Sequence, residues 1–256
     1  MRIVYAGDRE ISVKILKFII EQGVRPLALI VPDRKNSSHA EELITLCSFL
    51  DNTRIFTGPR LDNKKLITFL KGLHLDYIIC VHFPYIIPSD MLEIPKLGVL
   101  NLHPAYLPYN RGWHTPTWAI HSGTPYGATL HFMSEAVDGG DIIHQKSLHV
   151  LPEDTAHTLY QRVLDVEIEV FKEAWPSLVS GSYVRNSQPE NVGTFHKKRD
   201  IKSLQELHLE EKIPAGDLIT RLRALTTNNI DEAAYFKIDQ EKYRVQISIR
   251  KEKGER

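Results

Sequence analysis

The chain reads as an α/β fold: a Rossmann-like, mainly parallel sheet with helices on both faces, plus a small C-terminal α+β subdomain with a hairpin. Three observations carry that reading. Short apolar runs alternate with helical patterns across the first three-quarters of the chain. Runs such as "RPLALIVP" and "DYIICVHF" are apolar along their whole length, as strands covered on both faces are. A polar stretch, "RNSQPENVGTFHKKRD", then separates this region from a segment with its own helical run and two alternating runs.

Taken in order, "RIVYAG" is a strand. It leads into a helix over "ISVKILKFIIEQG", where Ile11, Ile15, Phe18 and Ile19 share one face and Gly23 stops the pattern. "RPLALIVP" is a second strand, "AEELITLCSFL" a helix, "RIFTG" a short strand and "LDNKKLITFLKGLH" a helix. The strands "DYIICVHF", "LGVLNLH", "GATLHFM" and "DIIHQKSLHV" follow, and then a long amphipathic helix over "TAHTLYQRVLDVEIEVFKEAWPSLVSG". Beyond the polar stretch, "AGDLITRLRALT" is helical and "AAYFKIDQEKYRVQISIR" is a β-hairpin around "DQEK". The expected division is a main domain over residues 1–185 and a small subdomain over residues 186–256.

Composition narrows the function. With 256 residues, 42% of them hydrophobic, the chain can bury a substantial core. Its 32 basic and 32 acidic residues cancel, so no broad nucleic-acid surface is indicated. Cys47 and Cys80 are the only cysteines, too few for a disulfide framework, which fits a reducing compartment. No signal pattern and no bilayer-length apolar run is seen, so a cytoplasmic protein with no membrane partner is expected. The 12 histidines include no H-E-x-x-H or comparable spacing, and no metal is expected.

The chemistry concentrates in "NLHPAYLPYNRGWHTPTWAI". Ligands of open parallel sheets sit at the carboxyl ends of the strands. Asn101 and His103 lie at such an end, two apart, so both side chains leave one face while Leu100 and Leu102 face the core. Pro104 stops ladder pairing, and Pro108 and Gly112 shape the loop. A tight turn at Leu107–Pro108 would suit a cis peptide bond. Downstream, "VDGGD" places Asp138 on a tight turn beside two glycines, while Asp141 opens the next strand and reads as structural. His131, on the "GATLHFM" strand, reads as a supporting histidine. An amide, an imidazole and a carboxylate suit attack of an amine on a carbonyl: Asn101 donates to the developing oxyanion, and His103 and Asp138 manage protons. No serine or cysteine stands beside them as a nucleophile, which favours direct transfer between two bound substrates.

These motifs, "NLHP…LP…G…HT" followed by "GATLHF…VDGGDII", resemble the formyltransferase family that uses 10-formyltetrahydrofolate, over roughly residues 1–185. The resemblance implies Asn101, His103 and Asp138 as the catalytic set. It implies a pterin held mainly by backbone of the loop "VHFPYIIP", with Phe83, Tyr85, Ile86 and Ile87 as candidates and Ala136, Val137 and Asp138 facing them. Within the family, "AGDREIS" lacks a glycine-rich phosphate loop, which counts against a glycinamide ribonucleotide acceptor. The short C-terminal segment counts against a methionyl-tRNA acceptor. "YNRGWHTPTWAI" is similar to the loop of the nucleotide-sugar N-formyltransferase branch. That similarity implies a nucleotide-linked amino sugar of the 4-amino-4,6-dideoxyhexose type as partner, with Asn110, Arg111, Gly112, Trp113 and His114 as candidate contacts; "GTFHKKRD" and "LRALT…AAYF" resemble the C-terminal region of the same branch, which implies Tyr235 and Arg9 as further contacts. The exposed hairpin strand is a plausible edge for a homodimer.

Overall fold

The computed structural model describes every residue except Arg34, Asn36, Pro59, Arg60, Glu190 and 253–256. Eleven strands and eight α-helices occur among the described residues. In chain order they are β1 (Ile3–Gly7), α1 (Arg9–Glu21), β2 (Ala28–Val31), α2 (Ala40–Leu46), β3 (Ile55–Thr57), α3 (Lys64–Gly72), β4 (Tyr77–Val81), α4 (Ser89–Leu92) and β5 (Gly98–His103). Then come β6 (Arg111–Gly112), α5 (Thr115–Ser122), β7 (Gly127–Phe132), β8 (Ile142–Ser147), α6 (Ala156–Ser180), β9 (Phe195–His196), α7 (Lys202–Gln205), α8 (Ala215–Leu225), β10 (Ala234–Ile238) and β11 (Glu241–Val245).

Seven strands form one sheet in the order β3-β2-β1-β4-β5-β7-β8. The pairings from β3 across to β5 are parallel, and β7 runs antiparallel to β5, so the sheet is mixed. Its central strands are "IVYAG", "ALIV" and "YIICV", buried at every position. Only strands covered on both faces have that pattern, and the apolar runs of the sequence already carried it. Helix α1 buries Ile11, Ile15, Leu16 and Ile19, spaced to give one apolar stripe, and turns out through Gly23 at a φ of 80°. Phe18 on α1 meets Phe171 and Trp175 of α6 edge-on, at centroid distances of 6.3 and 5.9 Å.

The chain forms two compact units that interleave along the sequence. The first comprises Met1–His103, Thr129–Gln145 and Glu167–Gln188, and holds most of the large sheet. The second comprises Pro104–Ala128, Lys146–Val166 and Pro189–Arg256. In it β6 pairs with β9, and β10 pairs with β11 as an antiparallel hairpin. The hairpin turns tightly on Asp239 and Gln240, both in left-handed conformation, the geometry that matches strand twist in a two-residue loop.

The stretch "YNRGWHTPTWAI" contains more structure than its prolines and glycine suggest. It holds β6 and then α5, whose first turn accommodates Pro116 and whose end is set by Gly123 in left-handed conformation. The Leu107–Pro108 bond is cis. Among the described residues, no helix is long and apolar enough to cross a membrane.

Candidate active site

The first unit assembles Asn101, His103, His131 and Asp138. Strand β5 supplies Asn101 and His103, and β7 supplies His131, which lies directly opposite Asn101 in the antiparallel register. The two strands thus bring together an amide and an imidazole thirty residues apart in sequence. Asp138 comes from the turn after β7, at a φ of 50°, a left-handed conformation unusual for a side-chain-bearing residue.

The polar atoms converge. Asn101 Nδ2 lies 3.2 Å from His131 Nε2 and 3.4 Å from Asp138 Oδ1. His103 Nε2 lies 3.5 Å from Asp138 Oδ2, and His131 Nε2 lies 3.7 Å from Asp138 Oδ1. The His131 Nδ1 atom is 2.8 Å from the Phe132 carbonyl oxygen, which only accepts, so Nδ1 carries the hydrogen. In the neutral ring Nε2 is therefore the acceptor, and the Asn101 amino group donates to it. That donation fixes which way the carboxamide points. His103 is 7% exposed and His131 1%, so the charges and dipoles of the cluster interact with little screening by water.

The neighbouring strand leaves the sheet alongside. Val81 at the end of β4 is in register with Leu102, so residues 82–87 depart next to Asn101 and His103. Ile86 in this loop is 84% exposed, whereas Ile87 is packed into the core. Phe83 and Tyr85 meet edge-on and pack against that same core cluster, as does Met133 at the start of the Asp138 turn. The backbone N–H groups of Phe83, Tyr85, Ile86 and Ile87 make no hydrogen bond among the described residues, and the buried Tyr85 hydroxyl has no partner there. Ala136 and Val137 are exposed on the other segment. A flat heterocycle that needs backbone hydrogen bonds and apolar faces fits this loop.

The sequence-predicted acceptor contacts are scattered in character. In the first unit, Arg9 is exposed, in left-handed conformation, 3.8 Å from Asp8. In the second unit, Asn110 is 1% exposed and its carboxamide is engaged with Thr124 and the Pro125 carbonyl. Gly112 is required by packing: a Cβ there would run into the His196 carbonyl oxygen. Arg111 pairs through its backbone with Thr194, and the His114 Nε2–H donates to the Lys198 carbonyl. Trp113 is half-exposed with the Lys198 ammonium over its ring. The Tyr235 hydroxyl donates to Glu206, while Lys242 and Arg244 lie over its ring.

Two supporting groups escape a reading of motifs. His82, the left-handed residue that opens the 82–87 loop, binds both carboxylate oxygens of Glu167 at 2.8 and 3.0 Å. Glu167 is completely buried on α6. Its signal is visible in retrospect: a carboxylate in the stripe Leu159, Val163, Glu167, Val170, Ala174. The second group is Gln188, inside the polar stretch that composition alone marks as a connector.

The comparisons with known proteins agree with this chemistry. The family model "Formyl transferase" matches residues 21–175, and "N-formyltransferase dimerization C-terminal domain" matches residues 200–251. A dTDP-4-amino-4,6-dideoxyglucose formyltransferase of Mycobacterium tuberculosis is 30% identical over 178 residues, 70% of this chain and 75% of that protein. A solved sugar N-formyltransferase from a Shewanella species superposes with a TM-score of 0.84 at 25% identity, covering 99% of both chains. An N-formyltransferase from Helicobacter canadensis, solved with folinic acid and dTDP-3-aminofucose, superposes with a TM-score of 0.70 at 18% identity, over 94% of this chain and 85% of that one. The chain belongs to the formyl transferase family, on the branch whose solved members include sugar N-formyltransferases.

Proposed function

We propose that the chain moves the formyl group of 10-formyltetrahydrofolate onto the amine of a nucleotide-linked amino sugar, of the 4-amino-4,6-dideoxyhexose type, for glycan assembly in the cytoplasm. The observation that carries this reading is the convergence of Asn101, His103 and Asp138 at the end of β5. When bound, 10-formyltetrahydrofolate supplies the transferable formyl group, and the 82–87 loop with Ala136 and Val137 would hold its ring.

Each residue has a task set by its chemistry. Asn101 presents the amino hydrogen that does not bond His131 toward a carbonyl oxygen that gains negative charge as an amine adds to the carbon; one such donor is worth about 2.7–4 kcal/mol. His103 supplies a second donor, or the proton that the folate nitrogen would take up as its bond to the formyl carbon breaks and tetrahydrofolate leaves. Asp138, within reach of both, orients the imidazole and accepts the proton that the attacking amine loses, directly or through water. Positioning two substrates together supplies the rest of the rate.

The acceptor assignment rests on the sequence of the Trp113 loop and on the name of the Mycobacterium tuberculosis relative. In that loop, Trp113 has an exposed side chain suited to stacking on a base or sugar, and Arg111 carries the charge suited to a diphosphate. Residues 1–185 would form the catalytic part and residues 186–256 the subdomain through which two copies pair. The test is to incubate the protein with 10-formyltetrahydrofolate and a panel of nucleotide-linked 3- and 4-amino sugars, and to read product masses. A gain of one formyl group on a 4-amino sugar supports the proposal. Formylation only of initiator methionyl-tRNA, or only of a 3-amino sugar, overturns the acceptor.

A further inference from the structure

The turn that carries Asp138 is held from outside itself. Within the turn, the Gly139 N–H donates to the Ala136 carbonyl at 3.1 Å, and the Phe132 N–H donates to the Asp141 carbonyl at 2.8 Å. Across it lies the segment after α6. Ile142 and Asn186 exchange two backbone hydrogen bonds at 2.8 and 2.9 Å, Arg185 Nε donates to Asp141 at 2.8 Å, and the Arg185 guanidinium lies 3.8 Å over the Phe132 ring. Gln188 completes the strap: its Nε2 lies 2.8 Å from the Asp138 carbonyl oxygen and 2.7 Å from the Gly140 carbonyl oxygen.

We infer that Gln188 is a positioning residue for formyl transfer: its amino group, bridging the carbonyls of Asp138 and Gly140, sets where the Asp138 carboxylate stands against Asn101 and His103. Two arguments carry this. Asp138 occupies a left-handed conformation that is strained for a residue with a Cβ, so something must hold it there. The two carbonyls that Gln188 binds flank the Asp138–Gly140 turn and face one donor group, which fixes their mutual orientation. The carboxylate contacts that follow are long, 3.4 Å to Asn101 and 3.5 Å to His103, so a shift of about 1 Å separates the groups, and misplacement on that scale costs on the order of 100-fold in rate.

This inference rests on the proposed formyl-transfer reading and goes beyond it. The test compares wild type with Gln188→Leu and Gln188→Glu, which both remove the bridging donors at neutral pH. Expected is a fall in kcat of at least tenfold, with KM for both substrates within about twofold. Combining Gln188→Leu with Asp138→Asn lowers kcat no further than Asp138→Asn alone, because both act through one carboxylate. A readout without turnover is the side-chain carboxamide resonance of Asn101 in NMR spectra, which Gln188→Leu shifts as Asp138→Asn does. Unchanged kcat, effects that add to those of Asp138→Asn, or an Asn101 resonance unmoved in Gln188→Leu each overturn the inference. If wild type transfers no formyl group, the resonance still decides the positioning role, and only the functional reading falls.

Discussion

Asn101 and His131 stand opposite one another on β5 and β7, and the Asn101 amino group donates to His131 Nε2 at 3.2 Å. The Phe132 carbonyl oxygen, bound to Nδ1 at 2.8 Å, fixes the tautomer that makes this donation work. His131 therefore orients the amide that, in the proposed reaction, meets the carbonyl oxygen. Replacing His131 by leucine should lower kcat by about 10- to 100-fold, the range seen when a group that orients a functional side chain is lost. KM for both substrates should stay close to wild type in steady-state kinetics.

The His82–Glu167 pair makes a stability prediction. A fully buried carboxylate is tolerated because His82 meets both of its oxygens. Glu167→Leu removes one side of a buried hydrogen-bonded pair and should cost about 1–3 kcal/mol in urea denaturation. Glu167→Gln keeps an acceptor for the ring and should cost markedly less. Because His82 opens the 82–87 loop, Glu167→Leu should also raise KM for the formyl donor more than KM for the acceptor.

Gly140 sits where the turn passes the backbone of β7. A methyl group there would collide with the Phe132 carbonyl oxygen, and neither backbone can yield easily. Gly140→Ala should destabilise the protein by about 1–3 kcal/mol, as overpacking does, and displace the Asp138 turn. Thermal denaturation and initial rates test both halves. Gly123→Ala, whose Cβ would meet open space, should leave turnover unchanged at a smaller cost from its positive φ alone.

Much of this was legible in the sequence, and the reasons are specific. Continuous apolar runs identify β1, β2 and β4 because strands buried on both faces need nothing polar. The spacing of Asn101 and His103, with "VDGGD" following, locates the candidate cluster because strand geometry and glycine conformations are local. The burial of Asn110 was not legible, since an asparagine in a loop reads alike whether it faces a ligand or holds Thr124 and Pro125. Nor was the role of Gln188, because its partners are carbonyls about fifty residues away and a carbonyl leaves no mark in a sequence.

In the second unit, burial holds the His121 and His196 imidazoles below the usual histidine range, with Arg221 reinforcing this at His121 and Asp200 opposing it at His196. His196 stacks on Trp118 at 3.9 Å. Both rings bind protons less readily folded than unfolded, so their contribution to stability is complete above the unfolded value of about 6.5 and is lost as pH falls from there through the folded values. Thermal midpoints should therefore decline as pH drops from about 7 to 5. A variant with both histidines replaced by asparagine should show a shallower decline over that window.

Whether Asn101, His103 and Asp138 carry formyl transfer is decided with 13C-formyl-labelled 10-formyltetrahydrofolate and a nucleotide-linked 4-amino-4,6-dideoxy sugar. The label should appear on the sugar nitrogen with wild type, and the rate should fall by on the order of 100-fold or more with Asn101→Ala and with Asp138→Ala. Labelled formate released without acceptor, or a near-wild-type rate in either variant, would contradict that role.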